Sequence, residues 1–181
     1  MNIISAGELK QKTSRIKEKL SNSISNGSEM KIKIALAQFN SRLGDVKANL
    51  ETHLEMIEDA RQGGADLIIF PELSLTGYAL QDLAVNVALR PHQEDPVFNE
   101  LIDASKDIDL MVGFVHEDRR HRFYIAAAYL SEGKVLHIHN KIYLPTYGMF
   151  DEGRFFAPGD SVRAFDTRFG RVGMLICEDF W

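Results

Sequence analysis

Several things are scarce in this sequence, and each scarcity excludes something. Among 181 residues there is a single cysteine, Cys177. One thiol cannot close an intramolecular disulfide, which fits a reducing cytosol. No apolar run approaches the ~20 residues that a membrane span requires, and the N-terminus lacks the apolar core of a signal peptide. Positive charge is not in excess: the net charge is −5, so no general attraction to nucleic acid is expected. Gly63-Gly64 is an isolated pair and not a nucleotide-binding fingerprint, and no internal repeat of solenoid period is present. What remains is a soluble globular composition, 45% hydrophobic and 26% charged. The length suits one domain with a real core.

The chain divides at about residue 30. Residues 1–30 are polar and lysine-rich, and Ser21 to Ser28 has the composition of a flexible linker. They read as a surface leader, with the domain proper spanning 31–181. There, Ile32 to Phe39 predicts a first strand. Asp45 can cap a helix carrying Val46, Leu50, Leu54 and Ile57 on one face, ended by Gly63-Gly64. Leu67 to Phe70 is a short second strand, so the three elements make a βαβ-like unit. Asp82 to Leu89 and Pro96 to Lys106 predict helices, the latter with Val97, Leu101 and Ile102 facing inward. Leu110 to Val115 predicts a strand. Phe123 to Leu130 and Lys134 to His139 predict a hairpin closed by Ser131-Glu-Gly133. Val162 to Phe165 and Val172 to Ile176 predict a last hairpin around Arg168-Phe-Gly170, its second strand buried.

Three side chains stand where predicted strands end. Glu72 follows Pro71, which stops its strand from pairing further. Lys141 opens a long loop rich in aromatics, Gly and Pro, the kind of loop that often carries function. Cys177 sits at a sharp turn, followed by Glu178 and Asp179, acids that suit the first turn of a helix. Each has a bland reading: a loop acid and a lysine are ordinarily solvated, and a lone cysteine is ordinarily a small buried hydrophobe. His137 and His139 share a strand face but lack an apparent third metal ligand, and read as ordinary strand residues. In mixed sheets the carboxyl ends of strands converge on one edge. A base, a cation and a thiol meeting there suit acyl transfer from an amide, chemistry that needs no metal and no organic cofactor.

The segments Ala37-Gln-Phe-Asn40, Phe70-Pro-Glu-Leu73 with Thr76-Gly-Tyr78, Lys141 with its loop, and Ile176-Cys-Glu-Asp179 resemble the nitrilase, or carbon–nitrogen hydrolase, superfamily from about Lys31 to Trp181. The resemblance implies an α/β fold, the four-layer α-β-β-α sandwich, with its C-terminal part missing from this chain. It implies a catalytic triad of Glu72, Lys141 and Cys177. Glu152 would be a second glutamate placing the lysine or substrate, and the Glu178 backbone amide an oxyanion donor. Tyr143 to Glu152 and Cys177 to Trp181 are most similar to the glutaminase domain of glutamine-dependent NAD synthetases, which would put Tyr147 in a glutamine pocket. The expected enzyme hydrolyses a small-molecule amide through a cysteine thioester and releases ammonia in the cytoplasm, with glutamine the candidate source. It is expected to be a homo-oligomer, with a synthetase as the candidate partner for the ammonia and no nucleic acid or membrane involved. Stand-alone aliphatic or omega-amidases, acyltransferases and a non-catalytic assembly module are the alternatives. Family domains run to roughly 250–300 residues, whereas this chain ends shortly after Cys177. The isolated chain is therefore expected to be weakly active or inactive.

Overall fold

The computed structural model describes residues 31–181, together with the backbone of Asn2–Ser5 and Ile16–Lys17. Apart from those two short strands, the expected leader lies outside the described residues. In chain order the elements are strands β1 (Asn2–Ser5), β2 (Ile16–Lys17) and β3 (Lys33–Leu36), helix α1 (Val46–Gln62), strand β4 (Leu67–Ile69), and helices α2 (Ala84–Val87) and α3 (Pro96–Ala104). Strands β5 (Asp109–Glu117), β6 (Phe123–Ser131) and β7 (Lys134–Asn140) follow, then helix α4 (Glu152–Phe155) and strands β8 (Ala164–Thr167) and β9 (Gly170–Gly173).

Strands β1 to β7 form one mixed sheet in the order β2-β1-β3-β4-β5-β6-β7. Strands β1, β3, β4 and β5 run parallel, and β5-β6-β7 is an antiparallel meander. The β6–β7 turn is tight because Glu132 and Gly133 both take positive φ, the geometry a two-residue hairpin loop prefers.

Helix α1 starts where Asp45 accepts a hydrogen bond from the Ala48 N–H. Leu50 and Ile57 of its expected face are buried, but so are Asn49 and His53, two polar residues the apolar spacing does not mark. Helix α3 is capped by Asp95, which accepts from the Val97 and Phe98 N–H groups. It buries Phe98 and Leu101 completely, while Val97 and Ile102 are only partly covered. Burial of each of those two side chains contributes about 1.5–3 kcal/mol.

The two helices cover one face of the sheet, against Ala35, Ile68, Leu110, Val112, Phe114, Ala126 and Ala128. The alternate strand positions, among them Leu67, Val115, Ile125, Ala127 and Tyr129, face a second core with Phe165, Phe169, Met174 and Ile176. The β8–β9 hairpin lies on that side and forms a second, two-stranded sheet. The layers are therefore α-β-β among the described residues, three of the four expected. Arg168 in the hairpin turn ties this layer down, its Nε lying 3.0 Å from the buried Asp109 carboxylate.

One expectation needs correction. Val172 to Ile176 is not a continuous buried strand: β9 ends at Gly173, and Leu175 is exposed between the buried Met174 and Ile176. The run packs into the second core on alternate residues without a partner strand among the described residues. Cys177 thus follows an extended segment, not a laddered strand.

Candidate active site

The Glu72 corner is built from the sheet. The backbone of Pro71 to Leu73 lies flat on Gly113 of β5, where a Cβ would stand 2.4 Å from the Pro71 oxygen and 2.6 Å from the Leu73 nitrogen. Only glycine permits that approach. Behind the corner runs a buried polar relay. His53 Nδ1–H donates to the Asn49 carbonyl at 2.7 Å, its Nε2 accepts from the Ser74 hydroxyl at 2.9 Å, and that hydroxyl accepts from the Gly113 N–H. Burial lowers the His53 pKa to about 4, against a smaller upward pull from the Asn49 bond, so the ring is neutral. Asn49 also donates to the Leu75 carbonyl at 3.0 Å.

Lys141 leaves the end of β7 with its N–H bonded to the Ile125 carbonyl. The loop after it doubles back so that Gly159 passes against Asn140, where a Cβ would meet the carbonyl oxygen at 2.1 Å. The Lys141 side chain is fully buried. Its Nζ donates to Glu72 Oε1 at 2.8 Å and to Glu152 Oε1 at 3.0 Å. Glu152 Oε2 is also 2.8 Å from Nζ, a charge contact without hydrogen-bond geometry. Burial pulls the lysine pKa down, but the hydrogen bonds and charges of the two glutamates outweigh it and the net direction is up. Glu72 moves up as well: burial dominates, and Lys141 offsets only part of it.

Cys177 opens a one-turn 3-10 helix, Cys177–Phe180, with φ +47°. The left-handed region is strained for a residue with a Cβ. The residue is exposed. Its sulfur is close enough to Glu72, Lys141, Glu152 and the Glu178 N–H for their charges and dipole to bear on it. Burial and then Glu72 push the thiol pKa up, while Lys141 and the Glu178 N–H pull it down by less.

Glu72, Lys141, Cys177 and Glu152 therefore share one cluster. Tyr147 and Glu178 are at its rim, joined by a 2.8 Å hydrogen bond from the Tyr147 hydroxyl to Glu178 Oε1. Sequence reasoning gave no role to Tyr78, whose hydroxyl donates to Glu152 Oε1 at 2.5 Å. Burial, and the carboxylate it bonds, push that phenol's pKa far upward. The available signal was an aromatic residue just past the Glu72 corner, beside Gly77. The two strand histidines separate: His137 stacks on Phe165, whereas His139 is buried against Asp179.

The layered α/β architecture is of the nitrilase type. A family model described as carbon-nitrogen hydrolase matches residues 33–181, and the chain belongs to that family. It is 41% identical over 149 residues to a glutamine-dependent NAD(+) synthetase of Acinetobacter baylyi, a match that covers 82% of this chain and 27% of that protein. The structure of Saccharomyces cerevisiae Nit3, a member of the nitrilase superfamily, superposes with a TM-score of 0.71 at 25% identity, covering 82% of this chain and 56% of that one. An amidase variant from Nesterenkonia sp., with the acetamide moiety of fluoroacetamide added covalently at its active-site cysteine, gives a TM-score of 0.68 at 26% identity. That match covers 81% of this chain and 55% of the amidase. The chain thus spans about a quarter of the curated relative it matches.

Proposed function

We propose that this chain carries the reacting groups of an enzyme that hydrolyses a small amide through a thioester on Cys177. The observation that carries the reading is the buried Lys141 ammonium, held between Glu72 and Glu152 beside the only cysteine. Glu72, its basicity raised by burial, takes the thiol proton. The thiolate attacks the amide carbon and the carbonyl π pair moves to oxygen. Lys141 and the Glu178 N–H stabilise that oxyanion. Collapse breaks the C–N bond as Glu72 returns the proton to nitrogen, and ammonia leaves. Water, deprotonated by Glu72, then cleaves the thioester, releasing the acid and the thiol.

Glutamine is the leading substrate, from the likeness to the NAD synthetase and from Tyr147 and Glu178 at the rim. A synthetase partner would receive the ammonia, and the assembly would be a cytoplasmic homo-oligomer. A small aliphatic amide is the second reading, favoured by the likeness to the amidase. Among the described residues no helix is long and apolar enough to cross a membrane.

The test is intact-mass detection of an acyl adduct on Cys177 with glutamine and with propionamide, alongside ammonia release. An adduct on wild type that is lost in Cys177→Ala supports the reading, and the faster amide names the substrate class. An acyl adduct that persists in Cys177→Ala would sink it.

A further inference from the structure

We propose that Asp179 is a positioning residue: its carboxylate, backed by His139, fixes the Cys177 turn against the segment that carries Lys141. The inference rests on the reading of Cys177 as the nucleophile. Asp179 and His139 are each 1% exposed in their side chains, although the turn they serve is open to solvent. Oδ1 accepts from the Ile142 N–H at 2.9 Å and the Tyr143 N–H at 3.0 Å. Oδ2 accepts from His139 Nε2 at 2.7 Å and from the Ile176 N–H at 3.1 Å. An ionised carboxylate only accepts, which puts the shared proton on His139 Nε2.

The placement of these donors is what matters. Ile176 immediately precedes Cys177. Ile142 immediately follows Lys141, and His139 lies two residues before it on β7. One carboxylate therefore spans the two segments whose side chains must meet. A helix cap alone accounts for the Ile176 bond, but not for the other three, which reach a different part of the chain. Cys177 also sits in a left-handed conformation, which persists only where the surroundings over-determine it. Burial alone would raise the Asp179 pKa. The His139 bond, then those from Tyr143, Ile176 and Ile142, outweigh it and keep the acid charged.

The test uses iodoacetate alkylation of the single cysteine, followed by intact mass across a pH series, with no amide involved. The groups facing the sulfur are Glu72, Lys141, Glu152, Tyr78, Tyr147 and the Glu178 N–H. Held as it is, the thiol titrates above an ordinary cysteine. Released, it should move down toward one, by about half a pH unit or more in Asp179→Asn and in His139→Ala. His139→Gln, which keeps a donor at the Nε2 position, should restore the wild-type midpoint. An unchanged alkylation midpoint in the folded variants overturns the proposal even if thermal stability falls, because a merely structural role would lower stability alone. Circular dichroism checks folding, and should Asp179→Asn not fold, the two His139 variants decide. The outcome is separable from the catalytic reading: failure of that reading appears as an acyl adduct independent of Cys177, not as an alkylation midpoint.

Discussion

The two sides of the site are made differently. The Glu72 corner is set into the core: Leu73, Ser74, Leu75 and Thr76 are almost wholly buried, and the loop leans on Gly113 and on the relay through His53. The Cys177 turn stands at the surface, with Phe180 and Trp181 exposed beside it, and is held by hydrogen bonds to one carboxylate. Glu72 is thus placed by packing, and the Cys177 turn by a polar clasp. Lys141 belongs to both, since its ammonium touches the first side and its flanking backbone is bound by the second.

Lys141→Met should strike hardest, because it leaves Glu72 and Glu152 facing each other without a cation. A loss of about 3–5 kcal/mol at neutral pH is expected from urea unfolding, shrinking in acid as Glu72, whose pKa is raised by burial, takes up a proton. Gly113→Ala attacks the packed side alone. The clash with Pro71 and Leu73 should cost about 3 kcal/mol or more, measured the same way.

Acid should also weaken the packed side. The folded His53 pKa of about 4 lies below the ordinary value of 6.5, so folding favours the neutral ring. That contribution is complete above pH 6.5 and lost as pH falls toward 4, about 3 kcal/mol in all. His53→Gln should remove that part of the pH dependence of the thermal midpoint.

Tyr78→Phe frees Glu152 from its short bond and should cost about 1 kcal/mol in urea unfolding. Tyr147→Phe, on the open side, should leave the urea midpoint unchanged and, on the proposed reading, act only on glutamine affinity. A large stability loss from Tyr147→Phe would break the contrast between the two sides.

The sequence made the scaffold readable where local rules govern it. The cap at Asp45, the turn at Ser131-Glu-Gly133 and the apolar runs of β5 and β6 declare themselves in a few adjacent residues. Glu72 and Lys141 could be singled out because each follows the end of an apolar strand. The relay through Asn49, His53 and Ser74 could not, since its members look like ordinary polar residues until α1 lies on the sheet. The same holds for Tyr78 with Glu152 and for His139 with Asp179, pairs 74 and 40 residues apart. The end of β9 is not legible, because alternate burial of Met174 and Ile176 gives an extended segment the same apolar signature as a paired strand.

The ammonium between two carboxylates has a stoichiometric consequence. One cation cannot neutralise two acids, so the trio in its fully ionised form carries a surplus negative charge inside the protein. The surplus is relieved when a proton arrives, and the Cys177 sulfhydryl is a donor on which the charges of the trio bear. Burial gives Glu72 most of its appetite for that proton, and the Glu152 charge adds an increment that a single acid paired with a single lysine would lack.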